Sequence, residues 1–167
     1  VSVTSLHLAD LQQGESVVDL GSGSGTGTFV AALQVDKSRK VVGVDVTDEQ
    51  RSKAERLRDE AGFGNVTHLK GYIEGLPCEN ASFDAVIGNG VINVCADKAK
   101  VFREVARVLK SGGRLALSDI VTETQLPDSI TCSATLWTAY IGGAMQQEDY
   151  RTAIESAGLR VKRVKRV

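Results

Sequence analysis

The stretch that decides the fold is Val17-Val18-Asp19-Leu20-Gly21-Ser22-Gly23-Ser24-Gly25. A short apolar strand runs into an acid and then into three glycines at alternate positions. Glycine has no Cβ, so such a loop lets backbone lie directly against a bound cofactor. A dinucleotide fingerprint would need G-x-G-x-x-G/A here, with the pyrophosphate seated on the following helix. Counted from Gly21 the closing position is Thr26, and counted from Gly23 it is Thr28. Neither register closes the fingerprint. The loop points to a nucleoside cofactor held by bare backbone, outside the usual dinucleotide pattern.

Working outward, strand and helix patterns alternate, the signature of an α/β domain with a parallel sheet. Strands are expected over residues 16–20, 40–45, 66–69, 83–88 and 114–121, with a sixth over 159–167. The first helix follows Gly25 and carries Phe29, Val30, Ala32 and Leu33. Thr47-Asp48-Glu49-Gln50 spells a capping box, with Ala54, Leu57 and Ala61 at helical spacing behind it. Asp97 is placed to cap a helix through Val101, Phe102, Val105, Val108 and Leu109, which Lys110-Ser111-Gly112-Gly113 would stop. After Pro127, Asp128 is placed to cap one helix bearing Ile130, Ala134, Trp137 and Ile141 on a single face. A last helix carries Tyr150, Ala153, Ile154 and Ala157. The expected architecture is a Rossmann-like, doubly wound, mostly parallel sheet of six strands in one domain spanning 1–167.

In such sheets ligands bind at the carboxyl ends of the strands, so the residues after each strand are the candidates. Asp19 with Gly21, Ser22 and Gly23 follows the first strand; Asp19 either faces the cofactor or anchors the loop by local hydrogen bonds. Asp45 follows the second strand, where a carboxylate can accept both ribose hydroxyls, and Val46 beside it can pack on a base. Ile73 and Glu74 follow the third: Glu74 either accepts from an adenine amino group or is a solvated loop acid. Asn89 follows the fourth, where ordinary turn chemistry explains it equally well. Each acid or amide is weak alone; their order along one sheet edge is more specific.

Composition excludes several classes. The 167 residues carry a net charge of −1, so no overall field favours nucleic acid or an anionic membrane. The three cysteines, Cys78, Cys95 and Cys132, form no CxxC pair, and their odd count argues for a reducing, cytoplasmic setting. No apolar run approaches the roughly 18 residues of a membrane span, and no metal site is expected. The chain opens on Val1 rather than on methionine, so a preceding segment is expected.

With these residues in view, the chain resembles the class I S-adenosylmethionine (SAM) methyltransferases over nearly its whole length. Within them it is most similar to the arsenite methyltransferases. The likeness rests on the glycine motif, Gly43-Val44-Asp45-Val46-Thr47, Gly71-Tyr72-Ile73-Glu74-Gly75-Leu76-Pro77, Asn89-Gly90-Val91-Ile92-Asn93-Val94, Ser118-Asp119-Ile120-Val121, and Leu136-Trp137 with Ile141-Gly142-Gly143-Ala144. The resemblance implies SAM as cofactor, with Asp19, Gly21, Ser22, Gly23, Asp45, Val46, Ile73, Glu74 and Asn89 around it. It also implies a small-molecule methyl acceptor near Asn89, Trp137 and Tyr140, although a Trp such as Trp137 on an apolar helix face is more often core than substrate contact. That family binds trivalent arsenic through soft thiolates. Two of its thiol positions are Gly90 and Tyr140 here, and the third falls upstream of the glycine motif, where this chain has no cysteine. Cys78, Cys95 and Cys132 match none of the three and read as inert.

The expected reaction is in-line displacement at the methyl carbon, driven largely by positioning. Neither His7 nor His68 stands where a base is needed. The alternatives are a SAM-binding domain without catalysis and a nucleotide-dependent oxidoreductase. Nucleic-acid methylation is a further rival, suggested by Arg160, Lys162, Arg163, Lys165 and Arg166. That basic tail reads more simply as a strand edge protected by charge, so neither a nucleic-acid nor a membrane partner is expected.

Overall fold

The structure, a computed structural model, describes residues 4–166. Its strands are β1 (Val17–Leu20), β2 (Val41–Asp45), β3 (Val66–Lys70), β4 (Phe83–Asn89) and β5 (Leu109–Ser118). They pair in the order β3-β2-β1-β4-β5, all parallel. The order reverses direction between β1 and β4, which opens a crevice at their carboxyl ends.

The helices are α1 (Thr4–Ala9), α2 (Thr26–Gln34), α3 (Asp48–Ala61), α4 (Lys98–Val108), α5 (Asp128–Thr131), α6 (Ala134–Thr138) and α7 (Gln147–Ser156). Side chains alternate across each strand, and both sheet faces are covered. Val17, Val41, Val66, Ala85 and Ile87 pack beneath α1 and α2 with Leu6, Ala9, Ala31 and Ala32. Val18, Leu20, Val42, Val44 and Val86 pack on the other face against Val101, Phe102 and Val105 of α4 and Tyr150 of α7. Sheets covered on both faces need near-continuous apolar strands, which is why Val17-Val18 and Val41-Val42 read so plainly.

Several sequence expectations are corrected. Five strands form, not six: residues 159–166 run without strand pairing. Arg160, Lys162, Arg163, Lys165 and Arg166 are all exposed there, so the segment has little apolar face to lay beside β5. Val167, the end of that expected strand, lies outside the described residues. β5 begins at Leu109 rather than at residue 114, because α4 passes straight into it. The stop signal Lys110–Gly113 becomes a bulge, and the register jumps from Phe83↔Leu109 to Ala85↔Arg114. Lys110 pairs with Asp84 at 2.9 Å across that bulge.

Thr47 stands at the N-cap of α3 but makes no side-chain cap. The long helix expected after Pro127 is two short ones, since the Ser133 hydroxyl caps α6 through the Leu136 N–H and breaks the run. Asp97, by contrast, caps α4 by accepting from the Lys100 N–H at 2.9 Å. The helix α1, absent from the sequence reading, is fixed by Arg114. Its guanidinium donates to the Ala9 and Asp10 carbonyls and, in a two-pronged pair at 2.6 and 2.7 Å, to Glu15.

Candidate functional site

The glycine loop turns at the carboxyl end of β1, the central strand. Gly21 has φ 63°, and a Cβ there would stand 2.4 Å from Val91 Cγ2, so only glycine fits. Gly23 has φ 54°, and a Cβ there would project into open space. The loop is held from beneath by the Ser22 N–H donating to the Val44 carbonyl at 3.1 Å. It closes through the Gly25 N–H donating to the Ser22 carbonyl at 2.9 Å.

Two acids finish this half, and both act on the loop. Asp19 Oδ2 accepts from the Thr28 hydroxyl at 2.9 Å, and the Thr28 backbone N–H donates to the same carboxyl, with Gly27 leaving room for it. Burial pushes the Asp19 carboxyl up to about 7. The N-cap residue of α2 is Gly25, which has no side chain, so Asp19 supplies the cap from the strand. Asp45 Oδ2 accepts from the Gly23 N–H at 2.9 Å, and its Oδ1 accepts from the Thr47 N–H at 2.8 Å. A carboxylate has about four lone-pair sites, so Asp45 retains capacity for two hydroxyl donors.

This arrangement fits one cofactor chemistry better than another. A carboxyl group already occupies the N-terminus of α2, where a dinucleotide would put its pyrophosphate. Two acids beneath an uncrowded glycine at position 23 suit a cofactor whose near end is cationic.

Around the loop, Val46 is exposed beside Asp45. Ile73, expected next to the base, is a core side chain, 5% exposed and packed in the cluster with Val42 and Val44. Glu74 is half-buried and lies against Cys95. With Tyr72, Gly75, Ala96, Asp97 and Lys100 it lines an open hollow of about 450 Å³.

The other half gathers residues that are far apart in sequence. Asn89 ends β4 beside Ser118 of β5, and Gly90 follows with φ 71°. The Tyr140 ring lies over Gly90: a Cβ there would be 3.7 Å from Tyr140 Cδ1. Tyr140 itself has φ 63°, unusual for an aromatic residue. The link is Asn93, which is fully buried. Its Nδ2 donates to the Ile120 carbonyl at 2.8 Å and to the Tyr140 carbonyl at 3.2 Å.

Trp137 packs on Gly142 and Gly143, and its indole N–H donates to the Thr131 carbonyl. Lys98 Nζ stands 5.9 Å from the Trp137 ring. Trp137 therefore shapes the turn that carries Tyr140. Asp119 Oδ2 accepts from the Tyr150 hydroxyl at 2.8 Å, and the Ile92 and Asn93 amides face the same carboxyl. Burial pushes the Asp119 carboxyl up to about 6.

The sequence reading gave no role to Thr28, Asp119 or Tyr150, and quoted Asn93 only within a motif. Asp119 carried a signal, an acid at the exit of a strand, which the expected extension of that strand to residue 121 concealed. The cysteines are spread: Cys78 is half-buried, Cys95 buried and Cys132 exposed. Burial, with the Glu74 charge beside it, pushes the Cys95 thiol up to about 12. It is a protonated thiol at neutral pH, donating to the Val91 carbonyl at 3.4 Å, and not a soft thiolate.

Fold and site together define a Rossmann-like α/β domain with a nucleoside-cofactor crevice at the β1/β4 switch point. The chain belongs to the methyltransferase family: the family described as "Methyltransferase domain" matches residues 11–158. The arsenite methyltransferase of Halobacterium salinarum is 37% identical over 150 residues, covering 90% of this chain and 38% of that protein. The demethylmenaquinone methyltransferase of Lactococcus lactis is 38% identical over 113 residues, covering 67% of this chain and 44% of that protein. The crystal structure of an arsenic(III) S-adenosylmethionine methyltransferase from Chlamydomonas reinhardtii superposes with a TM-score of 0.80. Its identity is 38%, over 87% of this chain and 52% of that one. The chain thus spans only about two fifths to one half of these relatives. Among the described residues, no helix is long and apolar enough to cross a membrane.

Proposed function

We propose that this domain binds SAM on the glycine loop and transfers its methyl group to a small organic acceptor seated between the Asn89-Gly90 turn and Tyr140. The carrying observation is the meeting of Gly90 and Tyr140. They lie fifty positions apart, yet the Tyr140 ring closes over Gly90 at the carboxyl end of β4. Where the similar family places two thiols, this chain presents bare backbone and an aromatic ring.

Bound there, SAM would supply an electrophilic methyl carbon: an electron pair of the acceptor would form the new bond to that carbon as its bond to the sulfonium sulfur breaks, and the neutral thioether would leave. The chain's own residues supply position. Gly21 and Gly23 admit the cofactor to the backbone, and Asp45 takes its ribose hydroxyls. Asp19 places a titratable carboxyl beneath its cationic end. Val46 and Glu74 flank the base, and Ile73 supports that wall from the core. Asn89 and Tyr140 face the acceptor, with Trp137 and Asn93 holding the Tyr140 turn. Catalysis by such positioning needs the acceptor nucleophile in line with the methyl carbon; the acceptor's proton, where it has one, leaves to water.

The similar proteins are named for arsenite, a metalloid acceptor, and for demethylmenaquinone, an organic one. The aromatic wall favours the second kind for this chain. The test is an isotope-labelled methyl-transfer screen over organic acceptors, run with and without trivalent arsenic. We expect label transfer to an organic acceptor that arsenic does not enhance. Transfer that depends on arsenic and is lost on changing Cys95 or Cys132 to serine would overturn the acceptor assignment. Binding of SAM with no transfer to any acceptor would favour the non-catalytic alternative.

A further inference from the structure

His68 lies on β3, in the row that runs Asp19, Gly43, His68 across β1, β2 and β3. It is 4% exposed, and neither ring nitrogen has a hydrogen-bond partner. A buried imidazole with both nitrogens unpaired carries a cost, and its surroundings show where that cost is placed. Gly43 leaves a gap between the two flanking strands. His68 Nδ1 and Ser22 Oγ both reach to 2.7 Å from the point where a Gly43 Cβ would stand. His68 Cε1 likewise stands 3.1 Å from the corresponding point of Gly25. The Phe29 ring of α2 meets the imidazole edge-on at 5.7 Å between centroids. The imidazole is therefore the floor under both ends of the glycine loop.

We propose that His68 is a positioning residue for the glycine loop: neutral, it supports Ser22 and Gly25 in the cofactor-binding geometry, and protonated, it disturbs that floor and weakens cofactor binding. This rests on the SAM-binding reading given above. Ser22 faces the ring across the gap with a hydroxyl that an unprotonated imidazole nitrogen can accept from. An imidazolium has two donors and no acceptor, so it loses that possibility and must also shed its charge in a dry pocket.

The charged groups near the ring come from α3: Arg51 and Arg58, against Glu55. Arg51 is shared with Asp48 and Glu55, and Arg58 with Asp59. α2 brings the uncharged Phe29 ring against the imidazole, and the loop brings Ser22 and Gly25. Asp19 sits two strands along the same row, already engaged with Thr28. Burial, assisted by the two arginines, holds the imidazole below its ordinary value, so the neutral form prevails at neutral pH.

Linkage is reciprocal: if protonation weakens binding, binding must lower the proton affinity of His68. The experiment is an NMR titration of the imidazole signals of the unmodified chain from pH 5 to 8, with and without the demethylated product of SAM. The chain has two histidines, and His7 is exposed, so a His7→Gln variant assigns the signals. We expect saturating product to move the His68 midpoint to lower pH, while His7 stays in place. The second arm measures product affinity against pH in an Asp19→Asn background, which removes the raised carboxyl in the same strand row as His68; the Asp119 carboxyl, raised to about 6, stays common to both variants compared. There affinity should fall about tenfold per unit of pH below the His68 midpoint, and His68→Gln should flatten the fall. Product that binds at pH 8 without moving His68 overturns this inference alone. Absence of product binding at every pH overturns the SAM-binding reading and this inference with it.

Discussion

The two halves of the crevice are built by different means. On the β1–β2 side, the loop is held by groups at or next to strand ends: Asp19 on Thr28, Asp45 on Gly23, the Val44 carbonyl on Ser22. On the β4–β5 side, the wall is assembled by one buried amide. Asn93 joins the Ile120 and Tyr140 carbonyls, which lie 27 and 47 residues away. The first half is local and rigid, and its shape follows from the strand order. The second depends on a long segment, residues 119–145, folding back over the turn after β4. In the proposed function the first surface takes the cofactor, and the second is free to change with the acceptor.

The comparison breaks most severely at Gly21→Ala. The new Cβ would meet Val91, and the left-handed backbone would be strained, so about 3 kcal/mol of stability should be lost. Because Val91 belongs to the acceptor turn, both halves should fail together, visible as a lower urea midpoint and loss of product binding in calorimetry. Asn93→Ala should separate them instead. It leaves two carbonyls without their donor, at about 2 kcal/mol. Cofactor affinity should hold within a few-fold while methyl transfer falls steeply; equal losses in both would deny that the halves are distinct.

Tyr150→Phe should cost about 1 kcal/mol at pH 7, by removing the hydroxyl that donates to Asp119. The Asp119 carboxyl is raised to about 6 by burial. The favourable neutral form is therefore fully present below the ordinary carboxylate value and lost as pH rises through 6. The variant's deficit should accordingly shrink at pH 5, in denaturation curves taken at the two pH values.

The smallest effect concerns Asp19. Its carboxyl is also raised, to about 7, so the stability of its buried neutral form disappears as pH rises through that value. A cationic cofactor favours the ionised form. SAM binding near pH 6.5 should thus release protons, measured as a dependence of binding enthalpy on the buffer's ionisation heat. Asp19→Asn should remove most of that dependence.

How legible each half is in the sequence follows from the same difference. Strands buried on both faces must be continuously apolar, and glycine is strongly favoured where φ is positive, so the glycine loop and Asp45 at the end of β2 could be read directly. Asp19 could be found but not assigned, because a carboxylate beneath a loop and one facing a ligand have the same spelling. The acceptor wall was harder. Nothing in the local pattern around Tyr140 announces that its carbonyl is held by Asn93. The break between α5 and α6 hides in Ser133, which looks like any polar helix residue until its hydroxyl finds the Leu136 N–H. The tail after Gly158 has the β-branched residues of a strand, but its cations Arg160, Lys162, Arg163, Lys165 and Arg166 fall on both sides of an extended chain and leave it little apolar face beyond Leu159.

The central claim is that the β1–β2 half holds SAM chemistry and not a dinucleotide. It is tested most directly by calorimetric titration of the purified chain with SAM, its demethylated product and NAD. The account expects saturable one-to-one binding of SAM and of the product, with none of NAD, because the Asp19 carboxyl occupies the seat a pyrophosphate needs. Binding of NAD alone would contradict it.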